Sequence, residues 1–227
     1  MVDKRARGSR RRRDPEATRE ALLLAGTQLF AERGYDGAAL SAIADKAGIN
    51  KAMVSYHFGG KRKLYAAIVT ATLGDIVARA EKLPASNRPA PELLRKLIAL
   101  VAETATRRNP HFPAMMLREA LAGGEHLAAE TIAYPLRIAD VVRRIVERGV
   151  REGSFRQVDP LLTHLSLVGG LLFFFATKGL RERLFAEGRI RAKAPDAPGY
   201  VKHMQDLLVN GLAARSARRD RAAGRAS

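Results

Sequence analysis

FAERGYDGAALSAIADKAGINKAMVSYHFGGKRKL, residues Phe30–Leu64, is the stretch whose reading decides the fold. Leu40, Ile43, Ala44 and Ala47 recur at i, i+3, i+4 and i+7, which predicts a short helix with one apolar stripe. Gly48 ends it, because glycine accepts the positive φ that closes a helix. Asn50 then offers a side-chain oxygen to cap a third helix over Lys51–His57, anchored inward by Ile49, Val54 and Phe58. Gly59–Gly60 breaks the chain again. Lys61 opens a fourth helix whose core face is Leu64, Ile68, Leu73, Ile76 and Val77. Helix, glycine turn, helix and a basic exit form the pattern of a helix-turn-helix reader of duplex DNA.

The major groove admits one helix, and its base edges present distinguishable donor and acceptor patterns. Leu40–Ala47 is then the supporting helix and Lys51–His57 the recognition helix. Lys51 has the reach for a phosphate or a guanine edge, and Met53 the apolar surface for a thymine methyl. Ser55 faces either the DNA backbone or the domain. Tyr56, His57 and Lys61 lie at and beyond the helix end and are assigned to phosphates. Lys61 adds its charge to the free N–H groups that start the fourth helix. Ser41 supplies a hydroxyl on the supporting helix, and Thr18 one on the opening turn of the first. With Asn50 and Ala52, these are the expected DNA-contacting residues. The alternatives are packing for Met53 and Tyr56, an internal hydrogen bond for His57, and plain solvation for Lys51 and Lys61.

Outward from this motif, Pro15 starts a first helix that carries Leu22, Gly26, Leu29 and Phe30 and stops at Gly34. Beyond it, the fourth helix ends before Pro84. Further helices are expected at Pro91–Thr106, Pro110–Leu121, Gly124–Val150, Pro160–Phe185 and Pro198–Ala217, with Pro135 bending the long one. No alternating segment long enough for a sheet is evident. The expected fold is all-α, with about nine helices.

The chain has 227 residues and a net charge of +17, which suits a polyanionic partner. Lys4–Arg13 holds seven basic residues and no acid, and the chain from Gly211 holds five arginines against one aspartate. Such termini are expected to be disordered arms. The expected domains are a basic arm at 1–14, the DNA-binding domain at 15–60, a linking helix plus effector-binding and dimerisation domain at 61–217, and a basic tail at 218–227. The absence of cysteine removes disulfides and thiolate chemistry. The five histidines never form a metal-spaced pair, so neither a metal nor a cofactor is expected. No phosphate loop or nucleophile elbow is present, which argues against an enzyme. The most apolar run, Leu165–Ala176, is only twelve residues long and is expected to be a buried helix. A cytoplasmic protein that does not engage membranes follows.

Leu29–Phe30, Gly34–Tyr35, Leu40, Ile43–Ala44, Ala47–Gly48–Ile49, Tyr56–His57–Phe58, Lys61 and Leu64 together resemble the tetracycline-repressor (TetR) family of bacterial transcriptional regulators. The resemblance is close from Ala25 to Leu64 and looser beyond. It implies three helices in a DNA-binding domain, a fourth as a link, and about six in a ligand-binding and dimerising domain. It also implies that Lys61 grasps a phosphate. This chain departs from the family at Ala38 and Ala39, where a Thr or Ser commonly caps the second helix. It also has Ala52 for a frequent glycine, Ser55 for a common tyrosine, and Arg62 for the usual acid.

A small helix-turn-helix unit reads few bases, so specificity normally needs two half-sites about 34–36 Å apart and hence a homodimer on a palindromic operator. Leu161, Leu162, Leu165, Val168, Leu171 and Leu172, with Val201, Met204, Leu207 and Leu208, are the expected seam; a four-helix bundle across two subunits would match the resemblance, and the alternative is an ordinary monomer core. A small-molecule effector pocket is expected among Phe112, Met115, Met116, Tyr134, Ile138, Phe173 and Phe174. Its polar handles would be His111, His126 and His164, and Arg137 would face an anion or simply be solvated; the alternative for the apolar residues is ordinary core. The expected function is a repressor released from DNA by its effector. A transcriptional activator of the same fold and a non-specific architectural DNA-binding protein are the alternatives.

Overall fold

The computed structural model describes residues 14–214, and the two basic termini lie outside the described residues. The elements are α1 (Pro15–Gly37), α2 (Leu40–Ala47), α3 (Lys51–Phe58), α4 (Lys61–Ala80), α5 (Ala90–Glu103), a π turn (Thr104–Arg108), α6 (Phe112–Leu121), α7 (Ala129–Arg151), α8 (Pro160–Ala176), α9 (Lys178–Ala186) and α10 (Ala197–Leu212). Among the described residues there is no strand beyond one isolated bridge between Phe155 and Ala213. The fold is all-α.

Local sequence accounts for most of these boundaries. Asp14 caps α1 by accepting from the Glu16 N–H at 3.0 Å, with Pro15 at the first helical position. Gly34 breaks the regular helix at φ 73°, ψ 177°, and lets Tyr35 fold back to stack on Phe30 at 5.8 Å. Gly48 closes α2 in the left-handed region at φ 64°, the conformation that its lack of Cβ permits. Asp159 caps α8 by accepting from Leu161 and Leu162.

Two apolar clusters divide the molecule. The head packs α1, α2, α3 and the first half of α4 around Leu22, Phe30, Ile43, Val54, Leu64 and Tyr65, and takes in Phe112 and Met115 from α6. The body packs the rest of α4 with α5, α7, α8 and α10 around Leu93, Leu97, Val142, Ile145, Leu167 and Val209. Each such side chain, fully buried, contributes about 1.5–3 kcal/mol. Helix α4 belongs to both clusters, so packing is continuous across the expected boundary at residue 60. Helix α6 touches α1 on one side and α8 on the other.

Three expectations change. The long helix starts at Ala129, because positive φ at Gly123 and Gly124 puts a turn before it. The expected Pro160–Phe185 helix is two, α8 and α9, bent by 55° at Thr177. The run Leu165–Ala176 is not wholly buried: Leu167, Leu171 and Phe174 face inward, whereas Leu165 and Phe173 are exposed, as are Leu161 and Leu162 before it. No single helix among the described residues is long and apolar enough to cross a membrane.

Gly149 is where α7 meets the chain returning from its own end. A Cβ there would lie 2.1 Å from Cδ2 of Phe155, whose ring is buried. Gly149→Ala is expected to cost about 1–3 kcal/mol through overpacking, read as a fall of several degrees in Tm. An unchanged melting curve would show that Phe155 can move aside freely.

Candidate nucleic-acid interface and cavity

Helix α3 is short and held at both ends. Asn50 Oδ1 accepts from the Ala52 N–H at 2.9 Å, and the Gly59 N–H donates to the Ser55 carbonyl at 2.8 Å. Val54 and Phe58 are buried, and the Arg19 guanidinium lies 5.5 Å from the Phe58 ring. The opposite face is open. Lys51, Ala52, Ser55 and Tyr56 are exposed, Met53 and His57 are half-buried, and Tyr56 is 79% exposed. A tyrosine with that much free surface is not part of the core. His57 stacks edge-on to Tyr56, and its Nε2 is buried without a hydrogen-bond partner among the described residues. Ser41 is exposed on α2, whose start has no side-chain cap at Ala39. Thr18 departs from expectation: it is 5% exposed, turned into the head.

The start of α4 lies beside this face. Lys61 Nζ donates to the Asp36 carbonyl at 3.1 Å and lies 4.6 Å from the Tyr35 ring centroid. Gly60 gives α4 no side-chain cap, and its first turn contains no acid. Lys61, Arg62 and Lys63 thus stand together at a positive helix end, an arrangement the helix dipole disfavours and a phosphate would offset. Lys63 shares this helix start, although it was not among the expected contacts.

Behind the reading face, a buried carboxylate joins head to body. Glu119 on α6, 3% exposed, accepts from the Tyr65 hydroxyl at 2.8 Å and from the His126 main-chain N–H at 2.8 Å. His126 Nδ1 lies 3.1 Å from the same carboxylate, and its ring stacks on Tyr35 at 4.1 Å. Burial, followed by the Glu119 hydrogen bond and charge, pushes the Tyr65 hydroxyl pKa well up. Arg118 donates to the carbonyls of Ala31 and Glu32 near the end of α1. His126, expected at the effector pocket, therefore belongs to the joint.

The other side of α6 lines an apolar cavity of about 190 Å³ with α4, the π turn, α7 and α8. Phe112, Met116 and Ile138 from the expected set line it, as do Val168 and Leu172 from the expected seam. His164 and Thr104 bring its polar atoms. His164 Nδ1 is buried without a partner among the described residues, and burial pushes the imidazole pKa down.

The remaining pocket residues lie elsewhere, each for a packing reason. Met115 points into the head core, and His111 precedes α6 at its N-cap. Tyr134 packs toward Gly74, and Arg137 is a surface residue held bidentately by Glu81 at 2.7 and 2.8 Å. Phe173 is 63% exposed, and Phe174 stacks on Tyr200 beside a second cavity. Of the expected seam, Leu161 and Leu165 are exposed, but Met204 and Leu208 are buried in the body core, because α10 turns them toward its own subunit.

Residues 22–68 match the family model for bacterial regulatory proteins of the tetR family. Residues 89–210 match that for the tetracyclin repressor-like C-terminal domain. The chain is 28% identical over 205 residues to the HTH-type transcriptional repressor NicS of Pseudomonas putida, across 89% of this chain and 95% of that one. It is 38% identical over 72 residues to the HTH-type transcriptional activator FasR of Mycolicibacterium smegmatis, 32% of each chain. Among solved structures, the TetR family transcriptional regulator PfmR from Thermus thermophilus aligns with a TM-score of 0.65 at 26% identity, covering 83% of this chain and 97% of that one. With a helix-turn-helix head and a helical body that both match, the chain belongs to the TetR family of bacterial regulatory proteins and is a DNA-binding regulator of transcription.

Proposed function

We propose that the chain is a homodimeric repressor that reads a palindromic operator and leaves it when a small molecule fills the cavity beside α6. The observation that carries the DNA reading is the free face of α3 set against the uncapped basic start of α4. In this reading, Lys51, Ala52 and Met53 meet base edges or the adjacent backbone, while Ser41, Ser55, Tyr56, His57, Lys61, Arg62 and Lys63 serve phosphates. Asn50 contributes by fixing where α3 begins. Repression is favoured over activation because the relative matched along nearly the whole chain is named a repressor, whereas the activator's match covers only a third of this chain.

The exposed leucines of α8 support pairing with a second copy. Leu161, Leu162 and Leu165 lie in water on the outer face of a helix whose inner face is core, and Leu207 of α10 is likewise exposed. A second subunit would cover this apolar surface and set the spacing of two recognition helices. Effector binding acts through differential affinity: a ligand that fits the cavity better in the DNA-incompetent arrangement shifts the population away from DNA.

Lys61→Ala is expected to weaken binding similarly for matched and scrambled duplexes. It should flatten the slope of log K against log salt by about 0.9 per lost phosphate contact, about 2 for a dimer. A changed base preference with an unchanged slope would remove Lys61 from the phosphates. For the wild type, equal affinity for operator and scrambled DNA would favour architectural binding instead. Leu165→Glu should leave the helical circular dichroism intact and yield monomers in sedimentation, with loss of operator binding. A dimer that persists would place the interface elsewhere.

A further inference from the structure

A second cavity of about 420 Å³ adjoins the apolar one, and Ala105 and Phe175 line both. Ala105 lies in the π turn, a helix irregularity that is frequent at functional sites. The second cavity is charged where the first is not, with Lys178, Arg181, Glu182 and Asp196 on its walls. Three of these four are already engaged. Lys178 Nζ stands 3.6 Å from Glu182, and Asp196 Oδ1 caps α10 by accepting from the Gly199 N–H at 2.8 Å.

Arg181 has no carboxylate at ion-pair distance among the described residues. Its Nη1 donates to the Phe174 carbonyl and, at 3.1 Å, to the Thr177 hydroxyl. The guanidinium carbon lies 3.7 Å from the Phe174 ring centroid, and Phe174 stacks on Tyr200 at 3.8 Å and 2°. These contacts hold the guanidinium in place while using only one of its nitrogens. Nε and Nη2 remain without a protein acceptor among the described residues. A planar fork fixed on an aromatic stack with two free donors is suited to an anionic oxygen group. Burial pushes the Arg181 pKa down, so an anion there would relieve a desolvated cation. His164 does not compete for that anion, because its buried imidazole favours the neutral form.

We propose that the effector is an amphipathic organic anion, its apolar body between Phe112, Ile138 and Leu171 and its carboxylate or phosphate on Arg181. This rests on the reading of the apolar cavity as the effector site. The two cavities together reach the range of about 300–1,000 Å³ usual for small-molecule sites, which the apolar one alone does not.

The test is isothermal titration of the full-length protein with straight-chain carboxylates from hexanoate to dodecanoate and with the alcohols of the same lengths. The carboxylates should bind about tenfold more tightly than the matched alcohols. Arg181→Met, which keeps an apolar stem, should erase that difference and leave alcohol binding unchanged. Met116→Trp, which fills the apolar cavity from α6, should weaken both series, with thermal melting showing that each variant is folded. Equal affinities in the wild type, or no change in Arg181→Met, would overturn the anionic class while the loss in Met116→Trp kept the cavity reading. Binding that ignores Met116→Trp, or no binding by either series, would overturn both.

Discussion

The Glu119 carboxylate is the contact on which the relation between head and body depends. A carboxylate so removed from water is costly unless its oxygens are satisfied, and here one phenol, one main-chain N–H and one imidazole satisfy them. These donors come from α4 and from the turn after α6, so the carboxylate ties the first half of α4 to the body through α6. Tyr65 also packs edge-on to Phe30 and Tyr35, which places the same cluster directly behind the Lys61 ammonium. Loss of the Tyr65 hydroxyl or of the His126 imidazole would leave this buried carboxylate with fewer partners. The arrangement therefore favours discrete geometries over a continuous range of them.

That constraint gives α6 two faces with different tasks. Met115 and Glu119 belong to the head and the joint, whereas Phe112, Met116 and Ala120 line the cavity wall. Phe112 is part of both. A ligand that presses on the cavity wall thus works on a helix whose other side is fixed to α1 and α4. Close-packed apolar contacts transmit such a displacement because they compress little. The coupling needs no polar path from cavity to DNA. It needs only that α6 and the carboxylate joint have two arrangements of similar energy.

What was legible in the sequence follows the range of the interaction concerned. The Gly48 stop and the Asn50 cap depend on atoms within three or four residues and stand as expected, and at Ala39, where the family commonly has a Thr or Ser, α2 has no side-chain cap. Side-chain partners across the body depend on helix positions that periodicity does not supply. Phe173, Phe174 and Phe175 show why. Successive helical residues point about 100° apart, so one faces solvent, one stacks under Arg181, and one lines the cavity wall. No property of three adjacent phenylalanines distinguishes those outcomes before the neighbours are placed. Met204 and Leu208 went astray likewise: an apolar stripe on α10 says that something covers it, not which subunit does.

The places where local rules are broken are the informative ones. A helix that begins Lys61-Arg62-Lys63 without a cap or an acid works against its own dipole, and the leucines of α8 hold apolar surface in water. Neither improves the isolated subunit, and ordinary substitutions would relieve both. Polyanionic DNA would offset the first and, in the proposed dimer, a second copy of the chain the second. In that dimer these two partners would also impose a common geometry, because pairing through α8 would set how far apart two basic helix starts stand. On the proposed reading the two local costs are one, borne by the free chain and recovered when a dimer meets two major grooves at matching separation.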